Sequence, residues 1–178
     1  FCLSRGLGDV YKRQNYGSAA AFAHNASEDR LEIEHSADTS TEGAELPTGD
    51  MNARRANNTY RVTAQLSHSG SDGDMEGVIF SLELGSKIVD IGEINTVAEN
   101  YTADIDISSS STALRIHHST NNETPFYIHS VSVKCISLDL DATAVTKIMV
   151  GDRLKVDSEE FLVLEVNTSI VTVETAYN

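Results

Sequence analysis

Residues 124–138 read TPFYIHSVSVKCISL, and the way this stretch alternates decides the fold. Polar and apolar side chains take turns along it, the period of two expected of a strand with one face in a core and the other in water. Val131, Val133 and Cys135 occupy odd positions, but Ile128 occupies an even one. A regular strand cannot bury all four on the same side. A β-bulge near His129-Ser130 supplies the one extra residue that brings the two halves back into phase. In the alternative, Ile128 covers the outer face.

The same period recurs along the chain. Tyr60, Val62, Ala64 and Leu66 alternate with Arg61, Thr63, Gln65 and Ser67, and Tyr101, Ala103, Ile105 and Ile107 alternate with Thr102, Asp104 and Asp106. Leu31 and Ile33 mark a shorter strand, and Leu114 and Ile116 another. Residues 78–84 and 87–91 are expected to form a hairpin about Gly85-Ser86, because two-residue hairpin turns favour glycine. Seven or so short strands, separated by Gly, Asn, Asp and Ser and with no convincing long helix, predict an all-β antiparallel sandwich. Its two sheets would share one apolar layer.

The chain has 178 residues, enough for one domain or for a domain with a small appendage. Thirteen Lys and Arg against 27 Asp and Glu give a net charge of -14, with the acids scattered along the chain. Neutralising phosphates requires basic patches, so no nucleic-acid partner is expected. No apolar run approaches the roughly 18 residues of a membrane-spanning helix, and membrane insertion is not expected. Residues 1–14, FCLSRGLGDVYKRQ, resemble a translated sequencing-adapter read-through and are read as a non-native leader on a metagenomic fragment. With Cys2 in that leader, Cys135 fits a buried structural thiol.

Four segments, taken in order, carry a resemblance: TYRVTAQL at 59–66, VIFSLELG at 78–85, TALRIHHS at 112–119 and FYIHSVSVK at 126–134. They are similar to strands of the galactose-binding-like jelly roll of carbohydrate-binding modules, in the version found in tailed-phage virion proteins. The resemblance implies a jelly-roll β-sandwich over residues 15–138, in a non-enzymatic structural or adhesion segment of a phage tail or capsid-associated protein. A glycan-binding module of a virion or secreted carbohydrate-active protein is the alternative it implies. Either reading implies a virion or extracellular location. The partners implied are other virion subunits, a second copy of the chain, or a surface glycan. His129-Ser130 stands where the family's last strand carries Asp-Asn, which removes a carboxylate that would orient a ligand.

Residues 139–178 read as a second, small β-meander module, possible only with support from elsewhere. Strands at 154–156, 161–166 and 170–173 are joined by turns at Asp157-Ser158 and 167–169. Some forty residues seldom hold a core alone, so this piece is expected to dock on the first module, pair with another chain, or belong to a truncated domain. Its wording is similar to a small all-β module of phage virion proteins.

Candidate chemistry is sparse. Asp72, Asp74 and Glu76 before Gly77, with Glu83 beyond, fit a calcium-loop template except that Glu76 replaces Asp or Asn. Residues 78–84 read as a strand and not as the exiting helix of an EF-hand, which leaves a looser calcium site or a plain acidic hairpin loop; no other cofactor is expected. Tyr127, with Asn121 and Asn122 nearby and Arg115 on the same sheet face, is the candidate sugar contact, since glycan sites set an aromatic face beside hydrogen-bonding groups. Tyr60 and Tyr101 lie on the inward phase of their strands. Adjacent His117 and His118 face opposite sides of a strand and cannot chelate one ion, whereas His117 and His129 could meet across a sheet. There is no nucleophile elbow or phosphate loop, and Asp104 and Asp106 read as acids on a solvent face. No enzyme activity is expected.

Overall fold

The computed structural model describes residues 14–16, 21–34, 42–46, 58–70, 78–107, 113–118, 124–139, 145–156, 159–168 and 170–175. The elements among them are thirteen strands. β1 is Gln14–Tyr16, β2 Ala21–Asn25, β3 Arg30–Glu34 and β4 Glu42–Leu46. β5 is Thr59–His68, β6 Phe80–Leu84, β7 Lys87–Gly92, β8 Glu99–Asp106 and β9 Leu114–His118. β10, Phe126–Asp139, is followed by β11 Arg153–Val156, β12 Glu159–Val166 and β13 Ile170–Thr175. Every pairing is antiparallel, and two sheets result: a five-stranded sheet β1-β4-β9-β6-β7, and an eight-stranded sheet built around β10. No helix among the described residues is long and apolar enough to cross a membrane.

β10 organises the larger sheet because it is long enough to serve three neighbours. One edge pairs with β5, which pairs in turn with β8. The other edge pairs with β3 at Phe126–Ile128 and with β13 at Ser137–Asp139. The register slips between Ile128 and Ser130, leaving His129 as the extra residue of a bulge. Ile128 is 1% exposed and Val133 1%, so the bulge brings both onto the core side and Ile128 does not cover the outer face. A second slip at Ile136 restores Leu138 to the core.

The core lies between the sheets. Leu31, Ile33, Val62, Leu66, Ile105 and Ile128 meet Leu82, Leu84, Leu114 and Ile116 there. Phe80 of the smaller sheet meets Phe126 of the larger edge-on, with ring centroids 5.0 Å apart, and His118 stacks beside both at 5.4 and 6.1 Å. The C-terminal meander belongs to the same core, since Phe161, Val163, Val171 and Val173 join the cluster. β13 docks by strand pairing with β10, which gives these residues the apolar cover that a short meander cannot build for itself.

Local chemistry sets the turns. Gly85 takes φ +66° in the β6–β7 hairpin, a left-handed value that costs glycine no Cβ clash. Asn25 Oδ1 accepts from the backbone N–H of Ser27 at 3.1 Å and from its hydroxyl at 2.7 Å, closing the β2–β3 turn. At Gly43 the constraint is space, because a Cβ would sit 2.0 Å from the carbonyl oxygen of Ile116 on β9.

Candidate functional site

Alternation along β4, β9 and β6 sends one set of side chains into the core and the other to the outer face of the five-stranded sheet. The outer set is polar. Glu45, Arg115 and Glu83 stand directly opposite one another across three strands, and Gly43, His117 and Ser81 form the next row. Arg115 Nε donates to Glu45 at 2.5 Å and Nη1 donates to Glu83 at 2.6 Å. His117 Nε2 lies 3.3 Å from the other Glu83 oxygen. Ser81 donates to Asp90 on β7 at 2.6 Å.

Burial grades along this row. The side chains of His117 and Glu83 are 6% and 7% exposed, while Glu45 and Arg115 are 20% and 28% exposed. Burial alone would lower the Arg115 pKa, but the Glu45 and Glu83 carboxylates outweigh it and hold the guanidinium above its ordinary value. Burial lowers His117 below the usual imidazole range, and the opposing pull of Glu83 is too weak to reverse this. Near neutral pH the Arg115 guanidinium, held between Glu45 and Glu83, therefore stands beside a neutral imidazole. Held on strands, the partly exposed Arg115 and Glu45 can meet a polar ligand with little further ordering.

Tyr127 lies elsewhere, and its grouping with Arg115 is corrected by the topology. It stands opposite Ser67 on β5 and Glu32 on β3, on the outer side of the eight-stranded sheet, whereas Arg115 belongs to the five-stranded one. The Arg30 guanidinium sits 3.7 Å from the Tyr127 ring centroid, occupying one face of the ring. Arg30 is itself held by Glu28 at 2.5 Å and Glu32 at 3.0 Å. The bulged His129 shares a hydrogen bond of 2.8 Å with Ser67, and its pKa is lowered by burial and then by the Arg30 charge. His117 and His129 thus lie on different sheets and do not meet, and His118 is a core residue. Asn121, Asn122, Asp72, Asp74 and Glu76 lie outside the described residues. Glu83 is on β6, bound to Arg115.

The remaining candidates have structural partners. Asp104 accepts from Arg61 at 2.7 and 2.8 Å, and Asp106 accepts from Thr59 at 2.5 Å. Tyr60 is buried, and the Tyr101 hydroxyl accepts from the backbone N–H of Asn95 at 3.1 Å. Sequence reasoning missed Glu45 and His117 as companions of Arg115. Alternation along LRIHH places Arg115 and His117 on one face, but nothing local points to Glu45, seventy residues away.

No family model matches the chain, and no curated protein matches it. Solved structures do. The CBM22-1 xylan-binding domain of Paenibacillus barcinonensis Xyn10C is similar with a TM-score of 0.51 and 8% identity, over 69% of this chain and 85% of that one. The fold is a jelly-roll β-sandwich similar to that of this domain. The CBM22-1 and GH10 modules of the Clostridium thermocellum endo-1,4-beta-D-xylanase 10B, complexed with xylohexaose, also give a TM-score of 0.51, with 12% identity. That alignment covers 74% of this chain and 27% of the longer one. At these identities the jelly-roll likeness is one of backbone architecture.

Proposed function

We propose that this chain is a non-enzymatic glycan-binding module displayed outside a cell, on a virion or on a secreted carbohydrate-active protein. The observation that carries the reading is the Arg115 guanidinium fixed between Glu45 and Glu83 on the outer face of the five-stranded sheet. Sugar hydroxyls both donate and accept, and this row offers both kinds of partner at a set spacing. Its excess of negative charge suits an uncharged polysaccharide better than an anionic one. Tyr127, with Asn121 and Asn122, is the second contact, its ring already held on one face by Arg30.

Calorimetric titration against neutral and acidic polysaccharides tests this. Binding is expected to at least one neutral polymer, weakened about tenfold by Arg115→Lys, which keeps the charge and loses the planar fork. Silence across the panel sinks the reading. The same titrations with calcium and with chelator test the proposed calcium loop at Asp72, Asp74 and Glu76, which is abandoned if neither affinity nor melting temperature responds.

A second reading, a structural segment of a phage tail or capsid-associated protein, is favoured by one observation. The C-terminal meander exposes Met149, Val150, Leu164 and Ile170 at 44–69%, apolar surface suited to neighbouring virion subunits.

A further inference from the structure

Two of the three end strands of the eight-stranded sheet, β11 and β8, carry opposite charge. Among the described residues β11 is hydrogen-bonded only to β12, and β8 only to β5, with β7 near β8 but not paired with it, so each has a backbone edge that no other strand hydrogen-bonds. β11 exposes Arg153 and Lys155, while β8 exposes Asp104 and Asp106. The hydrogen-bonded path between them is β8-β5-β10-β13-β12-β11, six strands with every neighbouring pair antiparallel. Its two end strands therefore run in opposite directions. A second copy laid beside the first without being turned over presents β8 antiparallel to β11.

The faces match as well. Leu154 packs against the core and Ile105 is buried in it, so both point inward. Arg153, Lys155, Asp104 and Asp106 occupy the alternate positions and point outward. We infer that the sheet continues from one copy of this chain into the next, with β11 of one pairing antiparallel to β8 of its neighbour. The register that sets Arg153 opposite Asp106 also sets Lys155 opposite Asp104 and Leu154 opposite Ile105. Two ion pairs then lie outside and an apolar pair inside, the cross-strand combinations that stabilise a sheet.

Basic residues on an edge strand ordinarily keep it from pairing with its own kind. Here they repel another β11 and complement β8. The intramolecular pairs Arg153–Glu160 and Arg61–Asp104 do not block the contact, because all four side chains are 38–58% exposed and exposed pairs are weak enough to be shared. The contact joins two different surfaces, so it makes a ring where the rotation closes and a filament where it does not. It is independent of glycan binding.

Sedimentation velocity of the whole chain over a concentration series tests the inference. The wild type is expected to rise above the 19.3 kDa monomer as concentration increases. Arg153→Glu with Lys155→Glu puts like charges opposite each other and is expected to weaken association about tenfold or more. Asp104→Lys with Asp106→Lys does the same from the other edge. An equal mixture of the two variants restores complementary junctions and is expected to recover the wild-type mass distribution. A wild type that stays monomeric throughout, or a β11 double variant that associates as well as the wild type, overturns the inference. The β11 arm decides alone if the β8 variant fails to fold by circular dichroism.

Discussion

Two arginines make the same kind of bond on the two outer faces of this sandwich, in opposite surroundings. Arg61, on the eight-stranded sheet, holds Asp104 with both side chains about half exposed, at 50% and 44%. Arg115, on the five-stranded sheet, holds Glu45 and Glu83 with the Glu83 side chain only 7% exposed. Geometry does not separate them, since both make short, charge-assisted hydrogen bonds. Water does. At Arg61 the solvent competes for the charges and screens them, so the pair adds little to stability. At Arg115 the carboxylates have exchanged water for the guanidinium, and removing it strands them. The first is a surface ladder, and the second is a preformed polar site.

The sharpest way to break this comparison is Arg115→Met. Leaving two partly buried carboxylates together without their cation is expected to cost about 2–4 kcal/mol in urea denaturation, between the exposed and fully buried limits. A loss as small as that at an exposed pair would place the row in solvent and erase the contrast.

His117 gives an intermediate effect through pH. Burial holds its folded pKa below the ordinary value of 6.5, so just beneath that value the unfolded chain binds a proton that the folded chain does not. Stability is present above 6.5 and is lost as pH falls toward the folded pKa. His117→Gln, which cannot take up a proton, is expected to flatten the fall in melting temperature between about pH 7 and about pH 5. It would leave the share due to His129, whose pKa is lowered in the same direction. An unchanged slope would mean that burial does not hold the His117 pKa below its ordinary value.

The smallest effect belongs to the surface pair. The Arg61 hydrogen bond lowers the Asp104 pKa and Asp104 raises that of Arg61, yet both groups are largely hydrated. Arg61→Met is expected to cost less than about 1 kcal/mol, and a double-mutant cycle with Asp104→Asn should return a coupling of the same order. A coupling as large as the loss at Arg115 would remove exposure as the deciding variable.

Much of the architecture was legible in local pattern. The alternation in TYRVTAQL and NYTADIDI foretold β5 and β8, the Gly85-Ser86 turn foretold the β6–β7 hairpin, and the phase break at Ile128 foretold the bulge at His129. β1, β2 and β4 were not foreseen. EGAEL has no apolar alternation to mark it as a strand, and it pairs with β9, whose backbone lies so close that only glycine fits at position 43. The site was half legible. Arg115 was singled out, but with Tyr127, and Glu83 was noticed only as the last position of a calcium template.

The sequence alone determined which face of its strand each side chain takes, because a period of two is a local property and survives without knowledge of neighbours. By that rule both Tyr127 and Arg115 point outward. Only the tertiary structure decided that they point outward from different sheets, and that Arg115 lies between Glu45 and Glu83. Strand pairing sets Glu45 beside Arg115, 70 residues further on, and alternation within one strand contains no information about which other strand will lie beside it.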